Sequence, residues 1–219
     1  MWSSEVTNMI ITGTWETLYM TLVSTLVGYV IGLPMGIILT VSDKDGIKPN
    51  AVLYKILDVI ANIVRSVPFI ILLVLLIPFT RLVVGKSYGS TATIVPLVIA
   101  AAPYIARMVE SSLKEVDAGV IEAARSMGAS NFTIITKVML VEARTSLLVG
   151  ATITLGTILG YSAMSGAVGG GGLGAIAIRY GYTRWQTDIM IVTVILLIIL
   201  FQIFQTVGMK LADKFDHRK

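Results

Sequence analysis

Long runs without a charged side chain constrain the fold of this chain more than any other feature of its sequence. Residues 17–42 and 145–178 contain no Asp, Glu, Lys or Arg. A helix needs about 20 mostly apolar residues to cross the hydrocarbon core of a bilayer. Only 14% of all residues are charged, whereas a soluble domain has about 25%. The sequence therefore predicts an all-α integral membrane protein.

Five segments are apolar enough to cross a membrane as helices. They cover residues 17–41, 56–79, 91–106, 145–168 and 189–209. We interpret the whole chain, residues 1–219, as one domain built on these five spans. Because five is an odd number, the two termini are expected on opposite sides of the membrane.

The basic residues predict which side is cytoplasmic. Loop 42–55, segment 107–144 and the C-terminal tail together carry twelve Lys and Arg residues, and the other loops carry four. The first 14 residues have none. Because basic residues concentrate in cytoplasmic loops, the N-terminus is expected outside and the C-terminus inside. The net charge of +4 therefore indicates membrane orientation and no nucleic-acid partner.

Segment 107–144 is the longest charged part of the chain, and two short helices with a break are predicted within it. Asp117 is a candidate N-cap for a helix that begins near Ala118, and Gly128 can take a left-handed terminating conformation. Ser130 or Asn131 is a candidate cap for the second helix. The expected apolar faces are Ile121, Ala124 and Met127, then Phe132, Ile135 and Val138 or Met139.

A helix, a bend and a second helix would form a knob that fits a groove on another protein. The alternative is an amphipathic helix that lies on lipid. This alternative is disfavoured because the segment lacks the Trp and Lys-rich faces of such helices.

The knob resembles the cytoplasmic signature of ABC-importer permeases: Glu-Ala-Ala, three residues, Gly, nine residues, Ile, one residue, Leu-Pro. The matching residues are Glu122, Ala123, Ala124, Gly128 and Leu140. Val138 replaces the Ile, and Val141 replaces the Pro, which leaves the bend into the fourth span open. In that family the signature forms coupling helices that dock on the ATP-hydrolysing subunit. The resemblance thus implies a coupling segment over about 117–139, with these five residues coupling to the ATPase.

Four further segments resemble the methionine-uptake permeases of the same family. They are GTWETL at 13–18, RSVPFIIL at 65–72, AAPYIAR at 101–107 and GYSAM at 160–164. The resemblance implies a homodimeric permease in the bacterial inner membrane that imports methionine by alternating access. It implies two ABC ATPase subunits, an extracytoplasmic substrate-binding lipoprotein and surrounding membrane lipid as partners. ATP and Mg would bind to the ATPase, and this chain would carry no cofactor.

The residues themselves argue against an enzyme or a metal site. The chain has no Cys, and its only histidine, His217, lies at the end of the tail. The glycine-rich run at 166–174 lacks the Lys-Ser/Thr of a phosphate-binding loop. We expect this run to be a flexible or re-entrant segment that borders the translocation route.

Three residues late in the fourth span are candidates for lining the translocation pathway at its outer gate. Tyr161, Ser162 and Met164 would offer an aromatic ring, a hydroxyl and a flexible thioether. A packing role for Met164 is the plainer alternative.

Other polar and small residues in the spans are expected to be structural. Asp58 and Arg65, and then Arg107 and Glu110, lie near predicted cytoplasmic ends, where ordinary ion pairs form. Glycines spaced by four predict close helix packing, within one subunit or between two copies. These glycines are Gly28, Gly32 and Gly36 in the first span, and Gly156 and Gly160 in the fourth.

Two other functions remain open from the sequence. The same machine could carry another polar amino acid or a short peptide. A stand-alone secondary transporter or channel would need no docking knob, and its uptake would not depend on ATP. The centres of the spans carry no charge, which argues against a proton-coupled carrier.

Overall fold

The computed structural model describes residues 4–215, and all of the regular secondary structure in that range is helical. The helices are α1 (Ser4–Ser42), α2 (Ala51–Ser66), α3 (Phe69–Leu75), α4 (Ile77–Val84), α5 (Ser90–Lys114), α6 (Ala118–Ser126), α7 (Asn131–Thr133), α8 (Leu140–Glu142), α9 (Arg144–Ser165), α10 (Gly172–Ile176) and α11 (Thr187–Phe215). Ile134–Met139 and Ala177–Tyr182 are π-helical, and Gly166–Val168 is a 3₁₀ turn. The all-α prediction is confirmed, and His217 lies outside the described range.

Four helical stretches are long and apolar enough to cross a membrane. They are Ser4–Ser42, Ser90–Lys114, Arg144–Tyr182 and Thr187–Phe215. They correspond to the first, third, fourth and fifth predicted spans. The first begins earlier in the chain than predicted, and the third continues as helix to Lys114.

The second predicted span, over residues 56–79, corresponds to a sharply bent pair of helices. Helices α2 and α3 meet at an angle of 101°. The bend lies at Pro68, which has no N–H to donate and disfavours a helical conformation at the residue before it. Val67 accordingly adopts an extended conformation, with φ −81° and ψ 124°. The described chain has five spans only if this bent pair is counted as one.

The core is densest where α1 packs against α5. A Cβ built on Gly32 would lie 2.6 Å from the carbonyl oxygen of Ala102, and one on Gly36 would lie 2.5 Å from that of Ala106. Only a residue without a side chain permits this approach of two backbones. The glycine spacing in α1 therefore serves packing within one chain.

Candidate functional site

The knob between α5 and α9 has the predicted helix–bend–helix form. The Asp117 side chain accepts a hydrogen bond from the backbone N–H of Gly119 at 2.7 Å and caps α6. Gly128 has a φ of +81°. The N–H of Ala129 donates to the carbonyl of Ala124, and the N–H of Gly128 donates to that of Arg125. This pair of bonds is the Schellman motif that terminates helices at a left-handed glycine.

The second helix of the knob is capped by Ser130, whose Oγ accepts from the N–H of Thr133 at 3.2 Å. The helix then widens into the π-helical segment Ile134–Met139. In a π-helix residues five apart share a face, so Ile134 and Met139 are both buried. The α-helical period does not place Ile134 on the predicted apolar face. A break at Ala143 separates this helix from α9.

Two residues of the predicted apolar faces of the knob are exposed. Met127 is 82% exposed and Phe132 is 75% exposed. Met127 is the C-cap residue of α6, and Phe132 lies in the first turn of α7, so both lie beside the bend at Gly128. We call the exposed side chains of Glu122, Ala123, Met127 and Phe132 around this bend the docking surface.

The predicted coupling residues divide into two groups. Glu122 and Ala123 are exposed on α6, while Ala124 turns inward and is buried. Leu140 is half-buried at the base of the knob, packed against the core. Within the described chain the Glu122 carboxylate makes no hydrogen bond or ion pair, so both oxygens are open to a partner.

The three predicted pathway residues lie in different environments. The ring of Tyr161 stacks on Phe69 of α3, with centroids 4.4 Å apart and planes 4° from parallel. Ser162 is buried, and its hydroxyl donates to the carbonyl of Leu159 at 2.7 Å. Met164 is 45% exposed. Their role in a pathway stays a prediction.

The glycine run after α9, which we expected to be a flexible or re-entrant segment, makes several hydrogen bonds to other elements. The N–H of Gly172, where α10 begins, donates to Glu16 Oε2 at 2.7 Å, and the N–H of Leu173 donates to Thr17 Oγ1 at 2.9 Å. The N–H of Gly89 donates to the carbonyl of Gly169. The run is thus held by α1 and by the start of α5. It borders a cleft of about 910 Å³. Tyr161, Ser162 and Met164 do not line this cleft.

An ion-pair cluster joins the loop after α1, the middle of α2 and the end of α5. Arg107 pairs with Glu110 at 2.7 Å and with Asp58. Lys114 pairs with Glu110 at 2.8 Å and with Asp43 at 2.6 Å, and its ammonium lowers the pKa of the Asp43 carboxyl. Asp58, Arg107 and Glu110 thus form ordinary ion pairs. The fourth residue of this predicted set is Arg65. That side chain is exposed and makes no ion pair in the described chain.

Comparisons with known proteins decide the family. The sequence model described as "binding-protein-dependent transport system inner membrane component" matches residues 28–218. The chain belongs to this family. Its family membership places it in the bacterial inner membrane as a multi-pass transport component.

Several members of this inner membrane component family are close relatives. A probable D-methionine transport system permease of Vibrio cholerae is 49% identical over 99% of this chain and 96% of its own length. The D-methionine permease of Escherichia coli K12 is 52% identical over 72% of this chain and 73% of its own.

Solved structures of transporters share the fold. A chain of the MetNI methionine ABC transporter in inward-facing conformations superposes with a TM-score of 0.96 at 49% identity, over 99% of this chain and 100% of that one. An amino acid ABC transporter with histidines superposes with a TM-score of 0.73 at 22% identity, over 98% of this chain and 96% of the other. That second likeness concerns the fold alone.

Proposed function

We propose that this chain is the permease subunit of an ATP-driven importer that moves methionine into the cell. The observation that carries the proposal is the docking surface: an inner membrane transport component exposes Met127 and Phe132 beside a helix-terminating turn. The cargo is proposed from the Vibrio cholerae relative, which is similar along nearly the whole chain. The subunit performs no covalent chemistry.

The docking surface has the chemistry of a protein-binding site. Large apolar side chains that fill a partner's pocket supply most of the binding energy of such sites. Met127 and Phe132 are suited to that role, and the small side chain of Ala123 allows a close approach. The unpaired carboxylate of Glu122 adds a charge that a basic group on the partner would neutralise.

The proposed assembly contains two copies of this chain, two ABC ATPase subunits and an extracytoplasmic substrate-binding lipoprotein. The N-terminus is outside and the docking surface is cytoplasmic, as the basic residues of the loops favour. ATP and Mg²⁺ bind on the ATPase subunits. ATP binding closes the ATPase dimer, which displaces α6 and tilts the spans toward the outward-facing state. The loaded lipoprotein then delivers methionine, and hydrolysis restores the inward-facing state.

We also propose that Tyr161, Ser162 and Met164, at the outer end of α9, line the translocation pathway. Tyr161 reaches Phe69 of the bent pair α2–α3, so it links two elements that would move apart when the gate opens. Met164 supplies a flexible thioether at an exposed position. The hydroxyl of Ser162 is buried and donates to the carbonyl of Leu159 in the same helix.

Co-purification tests the proposed function. The full chain, tagged, is purified in detergent from its native membrane and examined for a stoichiometric ATPase. We expect the ATPase with the wild-type chain and none with the double variant Glu122→Ala, Gly128→Val. The matched control is Lys48→Ala, which removes an exposed charge from the 43–50 loop. If a folded wild-type chain purifies alone, with no nucleotide-dependent partner, a stand-alone carrier becomes the better proposal.

The cargo is tested with proteoliposomes that hold the permease, the ATPase and the lipoprotein. We expect ATP-dependent uptake of labelled methionine that unlabelled methionine suppresses. Unlabelled L- and D-methionine, other polar amino acids and short peptides are compared as competitors. Equal suppression by another amino acid or a peptide would move the proposal to the same machine with a different cargo.

A further inference from the structure

Part of α6 is separated from the membrane helices by a cavity. The cavity has a volume of about 480 Å³ and lies between α6, the end of α5 and the loop that joins α1 to α2. Its walls include Asp43, Ile47 and Lys114 on one side and Ile121, Glu122 and Arg125 on the other. Close-packed interiors transmit displacement well, so on this side the connection between α6 and α5 depends on the side chains that reach across the cleft.

Arg125 spans the gap. Its Nη2 atom donates a hydrogen bond to the carbonyl oxygen of Ile47 at 3.2 Å, between residues 78 positions apart in the chain. The bond joins the docking helix α6 to the 43–50 loop. Around it, Ile47, Ile121 and Ala124 belong to one apolar cluster with the end of α5. The guanidinium therefore adds a directional contact to apolar contacts that have no preferred direction.

The 43–50 loop is held firmly by the helices that it connects. The N–H of Lys48 donates to the carbonyl of Val41, and the N–H of Asn50 donates to that of Ser42, at 3.0 and 2.9 Å. The Asn50 side chain then caps α2 by accepting from the N–H of Leu53. A displacement of Ile47 is thus passed to the end of α1 and to the start of α2.

The ion-pair cluster extends this connection to α5. Asp43 in the loop pairs with Lys114, Lys114 pairs with Glu110, and Glu110 pairs with Arg107, which pairs with Asp58 of α2. Glu110 is only 5% exposed. Because a buried carboxylate that loses its partners is strongly unfavourable, Glu110 holds Arg107 and Lys114 in place on α5. Those two side chains tie α5 to α2 through Asp58 and to the 43–50 loop through Asp43.

We propose that Arg125 is a positioning residue that passes a displacement of α6 to the 43–50 loop. From there the Asp43–Lys114 ion pair carries the displacement to α5 and α2. The inference rests on the proposed function, in which an ATPase moves α6. It assigns Arg125 a role inside the subunit, distinct from the docking surface that contacts the ATPase.

The first test measures transport per ATP in proteoliposomes that contain the full complex. For Arg125→Ala we expect unchanged ATPase co-purification and a number of substrate molecules per ATP about five-fold lower, the weak end of measured allosteric couplings. Arg125→Lys keeps a hydrogen-bond donor at this position and should restore most of the substrate transported per ATP. Lys48→Ala, which removes a basic residue from the same loop, should match the wild type.

The second test follows α2 directly. The chain has no cysteine, so Lys55→Cys gives one spin label per copy of this chain on an exposed position of α2. The distance between the labels of the two copies is measured by double electron–electron resonance with and without nucleotide. We expect nucleotide to change this distance when Arg125 is present and to leave it nearly unchanged with Arg125→Ala.

Two outcomes would overturn the inference. One is an equal nucleotide response and an equal transport ratio in Arg125→Ala and the wild type. The other is loss of the ATPase from the Arg125→Ala complex, which would make Arg125 an assembly residue. Failure of the proposed function is distinguishable, because the wild-type chain itself would then purify without an ATPase.

Discussion

The α1–α5 interface and the knob both depend on glycine, for different physical reasons. At Gly32 the backbone is helical, and an added Cβ would lie 2.6 Å from a carbonyl oxygen of α5. At Gly128 an added Cβ would meet nothing within 4 Å, but φ is +81°, a conformation that side-chain-bearing residues rarely adopt. The first glycine provides space between two helices, and the second provides a change of direction.

The apolar side chains of the two regions differ in the same way. Ile105 in the α1–α5 interface is fully buried, whereas Met127 in the knob is 82% exposed. Burial of apolar area stabilises the fold of the chain itself, and exposed apolar area beside a fixed turn is available to a partner. Substitutions in the interface should therefore change folding, and substitutions in the knob should change coupling.

The largest effect is expected for Gly32→Leu in the α1–α5 interface. The new side chain would meet the backbone of α5, which cannot move without displacing the whole helix, so destabilisation of about 3 kcal/mol or more is expected. The yield of monodisperse protein and the thermal unfolding midpoint measure it. The control is Val30→Leu, on an exposed position of the same helix. A Gly32→Leu variant with wild-type stability would contradict the packing argument.

The next effect is expected for Gly128→Val in the knob. A residue with a side chain at this φ is strained by about 2 kcal/mol, and a β-branched one has fewer ways to relax. The strain falls on a turn with open space around it, so we expect insertion and folding with ATP hydrolysis uncoupled from uptake. Gly128→Asn should retain more uptake, because Asn tolerates the left-handed conformation. Normal uptake by Gly128→Val would show that the turn is not needed.

A smaller effect is expected for the paired change Met127→Ser and Phe132→Ser. Both side chains are exposed in the chain alone, so the thermal midpoint of the isolated subunit should not fall. Loss of two apolar anchors should weaken ATPase association by about ten-fold, which corresponds to about 1.4 kcal/mol. Titration of purified ATPase onto the immobilised subunit measures it, with Val52→Ser, another exposed apolar position, as the control. Unchanged affinity would remove these two residues from the docking surface.

The sequence predicted those features that depend on neighbouring residues. The capping of α6 by Asp117, the turn at Gly128 and the cap at Ser130 each involve atoms within a few positions of one another. The unpredicted features depend on distant contacts. One is the stacking of Phe69 on Tyr161, which accompanies the 101° bend between α2 and α3 and joins two separate spans.

The site was predicted unevenly for the same reason. The α-helical period did not predict the burial of Ile134 in the π-helical segment or the exposure of Met127 and Phe132 beside the bend. The bond from Arg125 to Ile47 joins residues 78 positions apart. The sequence shows that α6 carries Arg125, but it does not show that Ile47 is its hydrogen-bond partner.

The smallest effect is expected for Gly160→Ala in α9. This substitution tests whether Gly160 is needed for close packing, as Gly32 is in the α1–α5 interface. An added Cβ on Gly156 would lie 2.6 Å from the Phe201 ring of α11, whereas one on Gly160 would meet nothing within 4 Å. Alanine is favoured over glycine in a helix by about 1 kcal/mol. Within one chain, Gly160→Ala should therefore raise the thermal midpoint slightly, and Gly156→Ala should lower it.

Measuring the thermal midpoint of Gly160→Ala in the assembled complex as well shows what lies beside Gly160. If Gly160→Ala raises the midpoint of the isolated subunit but lowers that of the complex, the open space beside Gly160 is filled by another subunit, and a contact with the second copy of this chain becomes the leading explanation. A rise in both preparations would leave Gly160 facing lipid, because a lipid chain adapts to an added methyl group and a packed helix does not. The pair of measurements therefore separates a glycine that serves packing within one chain, as Gly156 does, from one that serves the homodimer.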